Sequence, residues 1–339
     1  MPNFVWLIIY PLLAALVVFL SILLSKYVDL LDKKTKLSGA LLGGILLAGV
    51  TSLPELFTSL SGTLLIHENK YVLGNILGSD FFDIIIFGVV YFLFFKKFTQ
   101  GKVGKQHYTT CLFTGLLLIA VTIAAFVFNA NGWLLGWFNP MSAVIIAIYV
   151  ISVIKTPKVE EKEEQEEEVQ TNLSVKRIWV YLIIASITLI AASITITYVT
   201  DAIVDSYGIG ETFGGSLFLG LATSLPEVTA TIALCKKKNF NAAYGDILGS
   251  CVFNFLILGI ADIFSFVADP LYAIDSSSFM LIIGTAVALL LIFLSILFIR
   301  SKVFRNNIKS RIILYVFGGL MVSSYIVYLI LSALKVTII

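Results

Sequence analysis

Glu55 and Glu227 each end the same pentapeptide, Thr-Ser-Leu-Pro-Glu, at 51–55 and again at 223–227. A second matched pair of blocks follows, "GNILGSDFFD" at 74–83 and "GDILGSCVFN" at 245–254. Glu55 precedes Asp83 by 28 residues and Glu227 precedes Asn254 by 27. Asn75, Ser79 and Asp83 are spaced i, i+4, i+8, as are Asp246, Ser250 and Asn254, so each trio makes a polar stripe on one helix face. A proline inside a helix removes an N–H and displaces a carbonyl. Pro54 and Pro226 are therefore expected to break their helices, leaving carbonyls and hydroxyls of Thr51, Ser52, Thr223 and Ser224 free to face a ligand. Carboxylate, amide, hydroxyl and carbonyl oxygens suit hard cations, and an irregular shell of six to eight of them suits Ca²⁺ better than Mg²⁺. Soft metals would want Cys or His.

The elements that must hold these groups are membrane helices. Of the 339 residues 59% are hydrophobic and only 13% charged, against roughly 25% charged in soluble domains, and the mean hydropathy is +0.99. This excludes soluble-enzyme folds. Lys+Arg 23 against Asp+Glu 21 leaves no basic surplus for nucleic acid. Cys111, Cys235 and Cys251 lie in apolar runs at unrelated spacings, which argues against a disulfide framework or zinc site. His67 and His107 are too few and too far apart for a metal cluster, and no cofactor is implied.

Stretches long enough to cross lie near 5–25, 39–66, 71–95, 108–128, 133–154, 178–200, 209–234, 240–267, 277–299 and 311–334. No positive residue precedes the first and no small-residue cleavage site follows it, so it is expected to remain as a span. All of the 23 basic residues except Lys70 and Lys335 fall in odd-numbered loops. Positive loops face the cytoplasm, which predicts ten helices with both termini outside. The absence of a targeting segment points to a prokaryotic plasma membrane.

The run "EEKEEQEEE" at 160–168 reads as a solvated cytoplasmic linker. It divides a first five-helix unit (1–155) from a second (178–339) across 156–177. Because five is odd, the second unit must enter the membrane inverted, as in many secondary transporters. The fold class expected is an all-α polytopic membrane protein of two inverted repeats. Gly39/Gly43 and Gly210/Gly214 have the small-xxx-small spacing of close helix packing.

A carboxylate at mid-bilayer costs about 3 kcal/mol on insertion scales, so Glu55 and Glu227 point to function. No Lys, Arg or His lies at comparable depth to neutralise them; cations or protons must. Asp80 lies about 100° off its stripe and reads either as a direct ligand or as an outer contact. Asp246 stands on its stripe and reads either as an edge ligand or as a helix cap. Cys251 reads as a packing residue.

The paired "TSLPE" blocks with their following "GS" blocks resemble the two α-repeats of the sodium/calcium exchanger family, here 39–95 and 209–267. The resemblance implies central cation ligands at Glu55, Asp83, Glu227 and Asn254. It implies flanking sodium ligands at Thr51, Ser52, Ser79, Thr223, Ser224 and Ser250; Asn75, Asp80 and Asp246 are accessory positions by their place on or beside the stripes. Similar prokaryotic exchangers can carry the amide in the first repeat and the aspartate in the second; here Asp83 comes first. Asp80 and Asp246 stand where the family often has Asn or a small residue, so K⁺ or H⁺ remains open as a partner ion.

The reading that follows is an antiporter exchanging Na⁺ for Ca²⁺ by alternating access, with the first pair of spans in each half rocking against the core. Its partners are the two ions and the bilayer, and a monomer suffices. The alternative within the same fold is a cation/proton or K⁺-dependent exchanger, since clustered carboxylates share protons when empty. A channel is disfavoured because one chain builds a closed two-fold site rather than a ring of identical groups. An intramembrane protease is disfavoured because no base stands near a serine.

Overall fold

In an apolar solvent a peptide group has no partner but another peptide group, and long runs of Leu, Ile, Val and Phe satisfy that demand as helices. The computed structural model describes residues 3–35, 52–94, 103–129, 138–156, 173–265, 270–301 and 312–335. They fold into helices, with no β-strand among the described residues. We number these α1 (Phe4–Thr35), α2 (Leu53–Ile66), α3 (Asn69–Leu93), α4 (Gln106–Val127), α5 (Pro140–Lys155), α6 (Val175–Tyr207), α7 (Glu211–Lys236), α8 (Phe240–Phe264), α9 (Ser276–Arg300) and α10 (Ile313–Ala333).

Eight of the ten are long and apolar enough to cross a membrane. The two shorter ones, α2 and α5, correspond to the expected spans 39–66 and 133–154, α5 ending one residue later at Lys155. The N-terminal parts of those spans lie outside the described residues, as do Thr51, Gly39, Gly43 and the acidic run at 160–168. Leu12, Phe19, Leu112, Ile187 and Leu290 are exposed, the apolar outer surface expected where lipid rather than water surrounds the helices.

The two helices that carry the polar stripes are the most enclosed. α3 buries Tyr71–Phe81 without interruption, and α8 buries Ile247, Leu248, Val252, Phe255 and Leu258. α1 leans on α6 through Val17, Leu20 and Leu24 against Ala185, Leu189 and Ala192. That pair meets the rest through a second cluster in which Ala14 and Ile196 join Tyr71, Leu219 and Ala222. Tyr10 of α1 also donates its hydroxyl to the Phe218 carbonyl of α7 at 2.6 Å.

Glycine decides how near α3 comes to α7. A Cβ on Gly74 would stand 2.2 Å from the Thr212 carbonyl oxygen, and one on Gly78 would stand 2.6 Å from the Cα of Ser216. Of the expected packing pair, Gly214 touches Val204 of α6, whereas Gly210 faces open space.

Pro226 departs from the sequence expectation, whereas the span around Pro54 is described only from Ser52 onward. Pro54 stands in the first turn of the helix Leu53–Ser61, where its missing N–H costs nothing. Helix Leu221–Lys236 runs straight through Pro226 instead of breaking. The irregularity in α7 lies upstream, as a π-helical turn at Gly215–Gly220. Thr223 helps make this possible: its hydroxyl donates to the Leu219 carbonyl at 3.0 Å and approaches that of Gly220 at 3.4 Å, occupying carbonyls that a widened turn loosens. α2 has its own π-helical turn at Gly62–Ile66. It ends at His67, and α7 turns into α8 at Lys238; both are non-glycine residues with positive φ, 60° and 64°.

Candidate cation site

α2, α3, α7 and α8 bring the matched blocks together. Ser52, Glu55, Asn75, Ser79, Asp80, Asp83, Thr223, Ser224, Glu227, Ser250 and Asn254 are all buried. Asp246 is half-buried. Ser79 joins α3 to α7, its Oγ donating to the Gly220 carbonyl at 3.3 Å and standing 3.4 Å from Thr223 Oγ1. Thr223 lies beside the Glu55 carboxylate and Ser224 beside that of Asp83, though no hydrogen bond closes on the oxygens of either acid. Glu227 lies within electrostatic reach of Glu55, Asp83 and Asp246.

Both amide stripe residues are held by their nitrogens. Asn75 Nδ2 donates to Thr58 Oγ1 at 2.9 Å and Ser59 Oγ at 3.1 Å. Asn254 Nδ2 donates to Asp80 Oδ1 at 2.9 Å. Each leaves its Oδ1 buried and without a partner. The stripes therefore present carbonyl oxygen, which attracts a cation, and turn N–H away.

Both carboxylate oxygens of Glu55, Asp83 and Glu227 are likewise buried with no protein partner, as are the hydroxyls of Ser52, Ser224 and Ser250. More than nine in ten buried polar groups ordinarily find partners, so this concentration marks a place built for something other than protein. None of the three acids pairs with a basic side chain among the described residues. His107 is engaged elsewhere, 3.0 Å from Asn241 Oδ1. The acids are grouped rather than clenched: among the described residues, no three Asp, Glu, His or Cys side chains form a preformed metal cage. Such an arrangement can gather hard cations around separated oxygens with each ion taking a different subset.

Sequence reasoning missed Thr58, Ser59 and Thr231. Ser59 and Thr231 hold matching places four residues past each glutamate, and each bonds the first stripe residue of the next helix: Asn75 in one half, Asp246 in the other, where Thr231 Oγ1 donates to Oδ2 at 3.2 Å. The signal was present in the blocks "SLPELFTS" and "SLPEVTAT" as a hydroxyl at the same offset. Spacing along its own helix places Asp80 off the stripe, whereas it faces α8, where Asn254 and Cys251, its own counterpart in the matched block, stand beside it.

The family model for sodium/calcium exchanger protein matches residues 4–155 and 177–334. Solved structures with a similar fold include native YfkE, 17% identical with a TM-score of 0.66, covering 95% of this chain and 91% of that one. The H⁺/Ca²⁺ exchanger CAX is 15% identical with a TM-score of 0.63, covering 99% and 91%. The sodium-calcium exchanger NCX_Mj is 20% identical with a TM-score of 0.53, covering 94% and 98%. No curated protein sequence matches the chain. Two repeated acidic blocks, a helical fold shared with known exchangers and a family match across both halves lead to one conclusion: the chain belongs to the sodium/calcium exchanger family of membrane cation/calcium transporters.

Proposed function

We propose that the protein is a secondary antiporter that exchanges Na⁺ for Ca²⁺ by alternating access at a mid-membrane site. The observation that carries this reading is the set of six carboxylate oxygens on Glu55, Asp83 and Glu227, all buried and all without a protein partner. Ca²⁺ would take oxygens from Glu55, Asp83, Glu227 and Asn254. Na⁺ would use these together with Thr51, Ser52, Ser79, Thr223, Ser224 and Ser250. The ions compete because they share ligands, so a sodium gradient can drive calcium.

The reading includes ten spans with both termini outside the plasma membrane and two inverted repeats, 1–155 and 178–339. Its support is a set of contacts at matched positions: α1 against α6, Ser59–Asn75 against Thr231–Asp246, and Asp80 beside Cys251. Residues at equivalent positions meet each other when they lie near a two-fold axis, as Asp80 and Cys251 would.

Proton-coupled calcium exchange is the second reading. It is favoured by the fourth buried acid, Asp80, whose Oδ2 also lacks a partner, and by the similarity to a protein named as an H⁺/Ca²⁺ exchanger. Uptake of ⁴⁵Ca²⁺ into proteoliposomes, with Na⁺, K⁺ or H⁺ gradients imposed one at a time, separates the two. Uptake driven by Na⁺ at clamped pH supports the first reading; uptake driven only by H⁺ replaces it with the second.

A further inference from the structure

We infer that Asp80 is a positioning residue whose work is to hold the Asn254 side chain with its carbonyl oxygen toward the cation. The inference rests on the proposed site and assigns a role to the acid of α3 that stands off the polar stripe.

An asparagine amide has two faces of opposite use to a cation. Its oxygen attracts the ion and its nitrogen, carrying two hydrogens, repels it. The two ends have nearly the same shape, so packing alone selects weakly between them. A hydrogen-bond acceptor beside the nitrogen decides the matter. Asp80 Oδ1 is that acceptor, 2.9 Å from Asn254 Nδ2, and Asn254 Oδ1 is left buried and unengaged. Both residues are fully buried, so water does not compete for the bond. In the first half the same task falls to hydroxyls, Thr58 and Ser59 taking the Asn75 nitrogen. At the position of α3 that matches Asn254 stands Asp83, a carboxylate that presents oxygen whichever way it turns and needs no holder. The residue of α8 that matches Asp80 is Cys251. An acid therefore stands opposite the amide, and a thiol stands at the matching place opposite the acid, as orientation of the amide requires.

The test compares shape, charge and acceptor in the whole chain reconstituted into proteoliposomes, reading the half-saturating Ca²⁺ concentration separately from the maximal rate. Asp80→Asn keeps an acceptor oxygen of the same size and should leave half-saturation within about twofold of wild type. Asp80→Leu removes the acceptor and should raise it by about tenfold, the loss expected for a hydrogen bond to a charged group, with a smaller effect on the maximal rate. Adding Asn254→Asp to Asp80→Leu should recover most of that loss, because a carboxylate at 254 needs no orientation. Asp80→Ala makes the same comparison if Asp80→Leu is not monodisperse after purification. Equal damage from Asp80→Asn and Asp80→Leu would overturn the inference, since the charge itself would then be what the ion feels. An unchanged half-saturation in Asp80→Leu would overturn it too. Glu55→Gln is the control: wild-type calcium flux in that variant would show that the site lies elsewhere, a failure distinct from either of these.

Discussion

The Asn75 amide N–H donates to the Ser59 hydroxyl at 3.1 Å, tying the first stripe residue of α3 to the helix that carries Glu55. In the second half the bond recurs with its direction reversed, Thr231 donating to the Asp246 carboxylate at 3.2 Å. A hydroxyl can do either, and so it tolerates an amide in one half and an acid in the other. Asn75→Asp should therefore fold normally, its carboxylate accepting from Ser59. Asn75→Leu takes the partner from the buried Ser59 hydroxyl, while Thr58 keeps its bond to the Pro54 carbonyl, and should cost about 1–3 kcal/mol, read as a lowered melting temperature in detergent.

Glu55→Gln and Glu227→Gln should each abolish calcium transport while leaving elution and melting behaviour intact. Each keeps shape and removes a charged oxygen that a divalent ion needs. Flux above about a tenth of wild type in both, the tenfold that corresponds to roughly 1.4 kcal/mol, would place the site elsewhere.

If Na⁺ is the counter-ion, exchange should carry net charge. With Glu55, Asp83 and Glu227 ionised, three Na⁺ neutralise the site and one Ca²⁺ does not. The loaded states then differ by one charge, worth about 2.3 kcal/mol per 100 mV across the membrane. Valinomycin-clamped potentials should change the rate of sodium-driven uptake; indifference to potential would mean that a proton or K⁺ completes the set.

Asp83→Asn should impair calcium binding sharply, and Asn254→Asp added to it should restore the count of acids. The bond from Asn254 to Asp80 adds a condition. A carboxylate at 254 would stand against Asp80 at hydrogen-bond distance, where the two acids either repel or share a proton, so Asn254→Asp alone should depress flux. Asp80→Asn on the same background should relieve it. A double-mutant cycle on flux measures the coupling; simple additivity would show that the two side chains do not share the site.

Away from the site, Asp262 of α8 accepts from the backbone N–H of Asn139 at 2.8 Å and from the Ser142 hydroxyl at 2.6 Å, and Ser142 also stands 2.7 Å from the Tyr272 hydroxyl. This network fastens the start of α5 to α8. Asp262→Ala removes the acceptor that the Asn139 N–H and the Ser142 hydroxyl share and should cost about 1–3 kcal/mol. Thermal unfolding should show it while the ion dependence of transport is unchanged.

The chemistry of the site was legible because its residues sit in repeated blocks. Glu55, Asp83, Glu227 and Asn254 stand out as polar groups in apolar runs, and helical spacing alone places Asn75, Ser79 and Asp83 on one face. Contacts between helices were not legible. Nothing along the chain says that Asp80 meets Asn254, since that depends on how far α3 is rotated against α8. The expectation for Pro226 failed for a related reason: a proline removes one hydrogen bond, and whether the helix breaks there depends on which neighbours occupy the freed carbonyls. Here the helix continues through Pro226, and the distortion lies upstream, at Gly215–Gly220.

The π-helical turn at Gly62–Ile66 also explains an arithmetic oddity of the sequence. From Glu55 to the positive-φ turn residue His67 is twelve residues, while from Glu227 to its counterpart Lys238 is eleven; from each turn to Asp83 or Asn254 is sixteen. The surplus residue of the first half thus lies before His67, where the backbone is wound one residue wider. A π turn is the form in which a helix absorbs a single inserted residue without rotating what lies on either side. That slack makes this stretch the natural place for the chain to gain or lose a residue by mutation. Deletion of one residue within 62–66 should tighten the turn to an ordinary α-helix and keep Glu55 and Asp83 in step, whereas the same deletion within 56–61 would turn Glu55 out of register with everything it faces.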